Sequence, residues 1–147
     1  MSRALAIVLV AAAGVLVGMQ PPVNARLGRA VGSIPAATLS FVVGTVALLL
    51  ITSLSSEGFG SLGNIGKAPW WALAGGLLGA FYVTVAIITV RTLGVSSLTA
   101  IVISGQLLAA VVIDRFGLLG IARQPIGATR ILGLILLVGG VVLVVRR

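Results

Sequence analysis

Cysteine and histidine are both absent from this sequence of 147 residues. Without cysteine there is no disulfide framework and no thiolate metal site. Without histidine the chain lacks the commonest metal ligand and the usual proton carrier near neutral pH. We therefore expect no metal and no cofactor.

Charged residues are also scarce, at 8% of the chain, and the mean hydropathy is +1.27. A soluble domain carries about 25% charged residues, so this composition excludes a water-soluble protein. The length fits one compact domain. We expect a membrane protein whose surroundings are a lipid bilayer.

Acidic residues number two against ten basic ones, which gives a formal net charge of +8. In a soluble protein such an excess would suggest nucleic acid. Here the basic residues stand at the ends of apolar runs, where long cationic side chains reach the lipid headgroups. No interleaving of aromatic and basic residues favours a nucleic-acid surface, so we expect no nucleic-acid partner.

Signatures of catalysis are missing as well. The sequence has no histidine-based triad, no glycine-rich phosphate loop with a lysine, and no cluster of metal ligands. The serines have no candidate base near them. We expect that the protein is not an enzyme.

Five apolar segments are long enough to cross a membrane, which needs about 20 residues of helix. They lack the alternation over about ten residues that a transmembrane β-barrel strand would show. The second opens with Ser33, a plausible N-cap, followed by Pro35. The sequence predicts an all-α membrane protein with a single five-span domain over 1–147. The expected spans are approximately 4–25, 34–54, 69–90, 95–113 and 126–145.

Two prolines, Pro21 and Pro22, lie near the end of the first span. Proline removes a backbone donor and clashes with the preceding turn, so we expect the helix to break or kink just before Pro21. A broken helix inside a membrane is typical of transporter sites. The alternative is an ordinary helix end at the interface near Ala25. Gln20 and Asn24 would share a face if the helix continued through.

The basic residues give no preferred orientation in the membrane. Five spans place the termini on opposite sides. The Lys and Arg side chains then divide equally, with Arg3, Lys67, Arg115, Arg123 and Arg130 on one side and Arg26, Arg29, Arg91, Arg146 and Arg147 on the other. The positive-inside rule needs an excess on one side. We expect insertion in both orientations or an oppositely inserted partner, the alternative being a weak bias that a partner or the first helix resolves.

An amide in the fourth span, Gln106, needs a polar partner because an unpaired polar group in hydrocarbon costs several kcal/mol. That partner is another helix, water in a cavity, or cargo. Asp114 ends the same span, with Arg115 beside it and Arg130 at the start of the fifth. We expect a structural ion pair there, with proton coupling as the alternative. No acidic residue lies in the middle of a span, where a proton-coupled cation antiporter keeps a carboxylate.

Small residues recur on two helices at spacings that let backbones approach closely. Gly75 and Gly79 are four apart in the third span, and Gly133 and Gly140 are seven apart in the fifth. We expect these glycines to serve helix packing and dimer contacts.

Several of these motifs together resemble the short five-helix branch of the drug/metabolite transporter superfamily, a family of bacterial inner-membrane exporters. The matching pieces are Gln20–Gly28, Pro35, Ser40-Phe41 and Gly44, Trp71–Tyr82, Gly105–Gly117, and Arg130–Gly140. The last piece is also similar to the dimer-forming helix of small multidrug exporters. Their first-helix glutamate is absent here, which argues against cation–proton exchange by their mechanism, and Arg26 leaves room for an anionic or a neutral cargo.

The resemblance implies ten helices in two inverted halves around a central pathway, of which this chain encodes one half. We therefore expect a multi-pass protein of the bacterial inner membrane that exports a small molecule as an antiparallel homodimer, or with a paralogous five-helix partner, by alternating access. The expected pathway residues are Gln20, Asn24, Ser40, Tyr82 and Gln106, with Asp114 and Arg115 or Arg130 as a gate or clamp. The alternatives are an accessory subunit of another transporter half and a membrane scaffold without a pathway.

Overall fold

The computed structural model describes residues 1–56 and 58–146. Within these residues the chain forms helices and turns without a strand, which confirms the all-α prediction. All five candidate spans are apolar enough to cross a membrane. The five α-helices are α1 (Arg3–Val31), α2 (Ser33–Leu54), α3 (Ala74–Leu93), α4 (Val95–Phe116) and α5 (Ala128–Val145).

The first helix passes through Pro21 and Pro22 and ends at Val31, so the expected break before Pro21 and the expected end near Ala25 are both wrong. The two prolines deprive only the carbonyls of Val17 and Gly18 of their helical donors. A full break would free more backbone groups in hydrocarbon, each at a cost of several kcal/mol. Continuing the helix is therefore the less costly solution.

A single glycine joins α1 to α2. Gly32 has φ +91°, in the region that glycine adopts without strain. It also takes the N-cap position of α2, so the expected Ser33 cap is wrong and Ser33 is the first helical residue. The amide of Ala36 donates to the carbonyl of Gly32 at 3.0 Å. This short connection turns the chain back so that α2 packs against α1.

The chain divides into two compact units, Met1–Arg91 and Thr92–Arg147. The core of the first unit is small, and Ile87 is its largest fully buried side chain. Its buried members are Ala36, Ala37, Val83 and Ile87, with Leu27 and Tyr82 packed against them. Most large apolar side chains in the described residues are instead exposed, as expected of helices surrounded by lipid.

The connection between α2 and α3 is itself helical. A 3₁₀ segment of nine residues runs from Phe59 to Lys67. A second 3₁₀ turn, Trp70–Leu73, follows Pro69 and leads directly into α3. The expected third span therefore opens with a tighter turn than an α-helix.

The second unit is a pair of packed helices, α4 and α5. Gly117 ends α4 in the left-handed conformation, with φ +66°, and its amide donates to the carbonyl of Ile113. A short 3₁₀ turn at Leu118–Gly120 then starts the connection to α5. The left-handed glycine is a common way to end a helix and satisfy its last carbonyls.

Candidate functional site

Four of the expected pathway residues lie together in the first unit. Gln20 and Ser40 line two open-sided cavities of about 370 and 340 Å³. Asn24 lines the first cavity and Tyr82 the second. Since Gln20 and Ser40 line both, the two cavities adjoin among α1, α2 and α3, and we name them together the unit 1 groove.

The polar side chains of the unit 1 groove lie at two depths. Gln20 is eleven residues from the end of α1 and Tyr82 eleven residues from the end of α3, which at 1.5 Å per residue is about 16 Å. Asn24 and Ser40 are each seven residues from the α1–α2 turn, or about 10 Å. In a hydrocarbon layer of about 30 Å, the deeper pair is near the middle.

The most buried polar residue of the groove is Asn24, which is 7% exposed and lines the first cavity. No buried side-chain nitrogen or oxygen of the described residues lacks a hydrogen-bond partner, so no unpaired amide is buried there. An amide both donates and accepts hydrogen bonds, and Asn24 can therefore hydrogen-bond a molecule in the groove.

The deeper cavity also has lining residues that were not among the expected pathway residues. Phe41, Gly44 and Thr45 line the deeper cavity beside Ser40 and Tyr82. The spacing of Ser40 to Gly44 and of Phe41 to Thr45 is four residues, which places each pair on one helix face. This four-residue spacing was the sequence signal that could have placed these residues with Ser40. The signal is weak, because α2 is apolar on all sides and its sequence does not distinguish the inward face.

The fifth expected pathway residue, Gln106, lies in α4 and belongs to the second unit. Its side chain is exposed in the single chain. Its part in a pathway stays a prediction.

The second unit contains an ion pair between the Arg130 guanidinium and the Asp114 carboxylate. Asp114 also accepts through its backbone carbonyl from the amide of Gln124 at 2.8 Å. The Nε of Arg123 donates to the carbonyl of Arg115 at 2.9 Å. These three contacts hold the end of α4 to the chain that leads into α5. Asp114 therefore pairs with Arg130 rather than with Arg115.

An arginine also fixes the end of α3 in the first unit. The Nη2 of Arg91 donates to the backbone carbonyl of Ala25 at 3.0 Å. This contact joins α3 to α1 at the residue that follows the buried Asn24.

The glycines expected to serve packing fall into two groups. Gly79 packs within the chain, since a Cβ there would lie 3.3 Å from Cζ of Phe41. A Cβ at Gly75, Gly133 or Gly140 would meet nothing within 4 Å. Gly140 lines an apolar groove between α4 and α5. Contacts of these three glycines with a second chain stay a prediction.

The chemistry of the unit 1 groove is that of neutral hydrogen bonding. Its polar lining consists of amides and hydroxyls, and none of its lining residues is charged. Among the described residues no group of three potential metal ligands occurs. The groove can accept and donate hydrogen bonds beside apolar surface.

Comparison with known proteins gives one family and one curated relative. A family model described as "Putative inner membrane exporter, YdcZ" matches residues 5–143. The chain is 31% identical over 150 residues to the "Inner membrane protein YdcZ" of Escherichia coli (strain K12), with 100% of this chain and 99% of that protein covered. No solved structure matches.

The match covers nearly the whole chain, and so the protein belongs to this family of inner-membrane exporters. It is a multi-pass protein of the inner membrane, and its five apolar helices fit that location.

Proposed function

We propose that this member of the inner-membrane exporter family moves a small uncharged solute through the unit 1 groove. The observation that carries the proposal is the meeting of Gln20, Ser40 and Tyr82 in one cavity without a charged lining residue. Amide and hydroxyl groups at this depth are costly unless they bind something. Cargo and water supply the missing partners.

The scarcity of carboxylates argues against a cationic cargo. The sequence has two acidic residues, and Asp114 already pairs with Arg130. A cation in the groove would have no carboxylate there to balance it, and an isolated charge in a low-dielectric site is strongly disfavoured. The groove instead fits a molecule with both hydrogen-bonding and apolar parts.

The active form that we propose is an antiparallel dimer. The cavities are open-sided, so one chain leaves them uncovered. The equal division of basic residues between the two membrane sides favours a chain that inserts both ways. Two oppositely oriented chains would cover each other's grooves. By rocking around the bound solute, they would expose it to one side of the membrane and then to the other.

The Asp114–Arg130 pair serves in this proposal as a gate or helix clamp. This ion pair holds α5 to the end of α4, so the two helices move as one body when the two chains rock. A paired carboxylate at a helix end is better suited to this task than to carrying protons across the membrane.

The pathway is tested by water access to single cysteines, because the chain has none of its own. Tyr82→Cys should react with a membrane-impermeant maleimide in sealed vesicles. Phe81→Cys is the matched control, since Phe81 precedes Tyr82 and is 72% exposed on the outer surface of the single chain. If both positions are equally unreactive, the protein is a scaffold without a pathway.

Transport by this chain alone is tested in reconstituted vesicles loaded with a mixture of charged and uncharged cell metabolites. Release measured by mass spectrometry should favour uncharged solutes and should fall in Gln20→Leu. Preferential release of cations or anions contradicts the proposed cargo class. Release that appears only after a second transporter chain is added identifies an accessory subunit.

A further inference from the structure

The connection Phe59–Lys67 repeats the same three-residue pattern three times. Each repeat has an apolar residue, a glycine and a polar residue, as Phe-Gly-Ser, Leu-Gly-Asn and Ile-Gly-Lys. The structure folds this segment into a 3₁₀ helix, which has three residues per turn and stacks positions i and i+3 on one side. The sequence repeat and the helix repeat therefore coincide.

The coincidence gives the segment three separate faces. The apolar face carries Phe59, Leu62 and Ile65, which are 48%, 58% and 57% exposed. The polar face carries Ser61, Asn64 and Lys67. On this polar face the Lys67 Nζ donates to Asn64 Oδ1 at 2.7 Å.

The glycine face is not explained by the chain itself. A Cβ at Gly60, Gly63 or Gly66 would meet nothing within 4 Å. None of the three has a positive φ. Neither the backbone conformation nor a close contact in the described structure requires glycine there. Because glycine has no side chain, this face adds little thickness, and the segment can lie close to an external surface.

We infer that the segment Phe59–Lys67 is an interfacial anchor that lies flat on the lipid bilayer, with Phe59, Leu62 and Ile65 inserted below the headgroups. The segment is continuous with two membrane spans, because it follows the α2 span and leads through Ala68 and Pro69 into the α3 span. It therefore lies close to the membrane boundary.

The residues that follow the segment fit the same depth. Trp70 and Trp71 are 84% and 42% exposed, and indole rings favour the boundary between headgroups and hydrocarbon. At about 2 Å per residue the nine-residue segment is about 18 Å long. A segment of this length with one apolar side and Lys67 on the other matches the pattern of surface-bound amphipathic helices. The anchor would fix the depth at which α3 begins.

The anchor is tested with nitroxide labels on single cysteines in vesicles made of phosphatidylcholine and phosphatidylglycerol. Labels at Leu62→Cys and Ile65→Cys should collide preferentially with oxygen, which concentrates in hydrocarbon. Labels at Ser61→Cys and Asn64→Cys, the matched polar-face controls, should collide several-fold more with a water-soluble nickel chelate. A label at Leu77→Cys, which is 74% exposed on α3, provides the hydrocarbon reference.

Two results would overturn the inference. Equal access of the nickel chelate to all four segment positions would place the segment in water. Exclusion of both oxygen and nickel at positions 62 and 65 would place the apolar face against protein, such as a second copy of the chain. As a second measurement, Leu62→Asp should make a label at Ile65→Cys accessible to nickel, whereas Ser61→Asp should leave that label unchanged. An unchanged label in both variants would also contradict the anchor.

Discussion

Gly28 of α1 lies close to both α2 and α3, and replacing it tests how the three helices that line the unit 1 groove pack together. A Cβ added at Gly28 would lie 3.1 Å from Cγ2 of Ile87 and 3.7 Å from Cβ of Ala36. Ile87 is fully buried at 1% exposure and Ala36 at 0%. Both neighbours are therefore enclosed by protein, and an added side chain must displace packed atoms.

The expected magnitude depends on the size of the added side chain. Gly28→Ala gains about 1 kcal/mol of helix propensity, which the close contact with Ile87 offsets, so its stability should stay near that of the parent. Gly28→Leu adds three further carbons to the same contact. Overpacking of this kind costs about 1–3 kcal/mol.

The matched control is Gly14→Leu, on the same helix. A Cβ at Gly14 would meet nothing within 4 Å, so this variant should be as stable as the parent or more stable. Unfolding in detergent micelles, followed by circular dichroism against denaturant, measures both variants. If Gly28→Leu and Gly14→Leu unfold at the same denaturant concentration, α1 does not pack on α2 and α3 as described.

Three further predictions concern polar contacts. Asp114→Asn and Arg130→Gln should each destabilise the protein slightly, with a double-mutant coupling of about 0–1 kcal/mol because the pair is partly solvated; a coupling of several kcal/mol would indicate a buried pair. Arg91→Met should cost about 0.5–1.5 kcal/mol through loss of the hydrogen bond to Ala25, because Arg91 is exposed and water competes for its guanidinium. Equal unfolding midpoints for Arg91→Met and the parent would contradict that contact. Gln106→Leu should abolish metabolite release while membrane insertion and dimerisation persist, and undiminished release would remove Gln106 from the pathway.

The helices themselves could be predicted from the sequence because apolar length alone defines a membrane span. The expected second and fourth spans differ from α2 and α4 by three residues or fewer at either end. Prediction failed for α1 because local preference favours a break at Pro21, whereas hydrocarbon penalises every further unpaired backbone group. The Ser33 cap failed because the glycine before it takes the tight turn.

The candidate site was only partly predictable. Gln20, Asn24, Ser40 and Tyr82 stand out as polar residues in apolar runs, and the structure brings these four to one groove. Phe41 and Thr45 could not be identified as lining residues, because a helix that is apolar all round does not mark its inward face. The sequence left Arg115 and Arg130 as candidate partners of Asp114, and the folded structure pairs Asp114 with Arg130.

The most direct test of the central claim is the orientation of the chain in its native membrane. Asn64→Cys and Ala30→Cys leave the charge balance unchanged. Asn64 lies between α2 and α3, and Ala30 lies near the end of α1, so the two cysteines report opposite ends of the unit 1 helices. Sealed inner-membrane vesicles are treated with an impermeant maleimide before and after permeabilisation. An antiparallel dimer predicts that about half of each cysteine is labelled from outside. Complete labelling at one position and none at the other would contradict it.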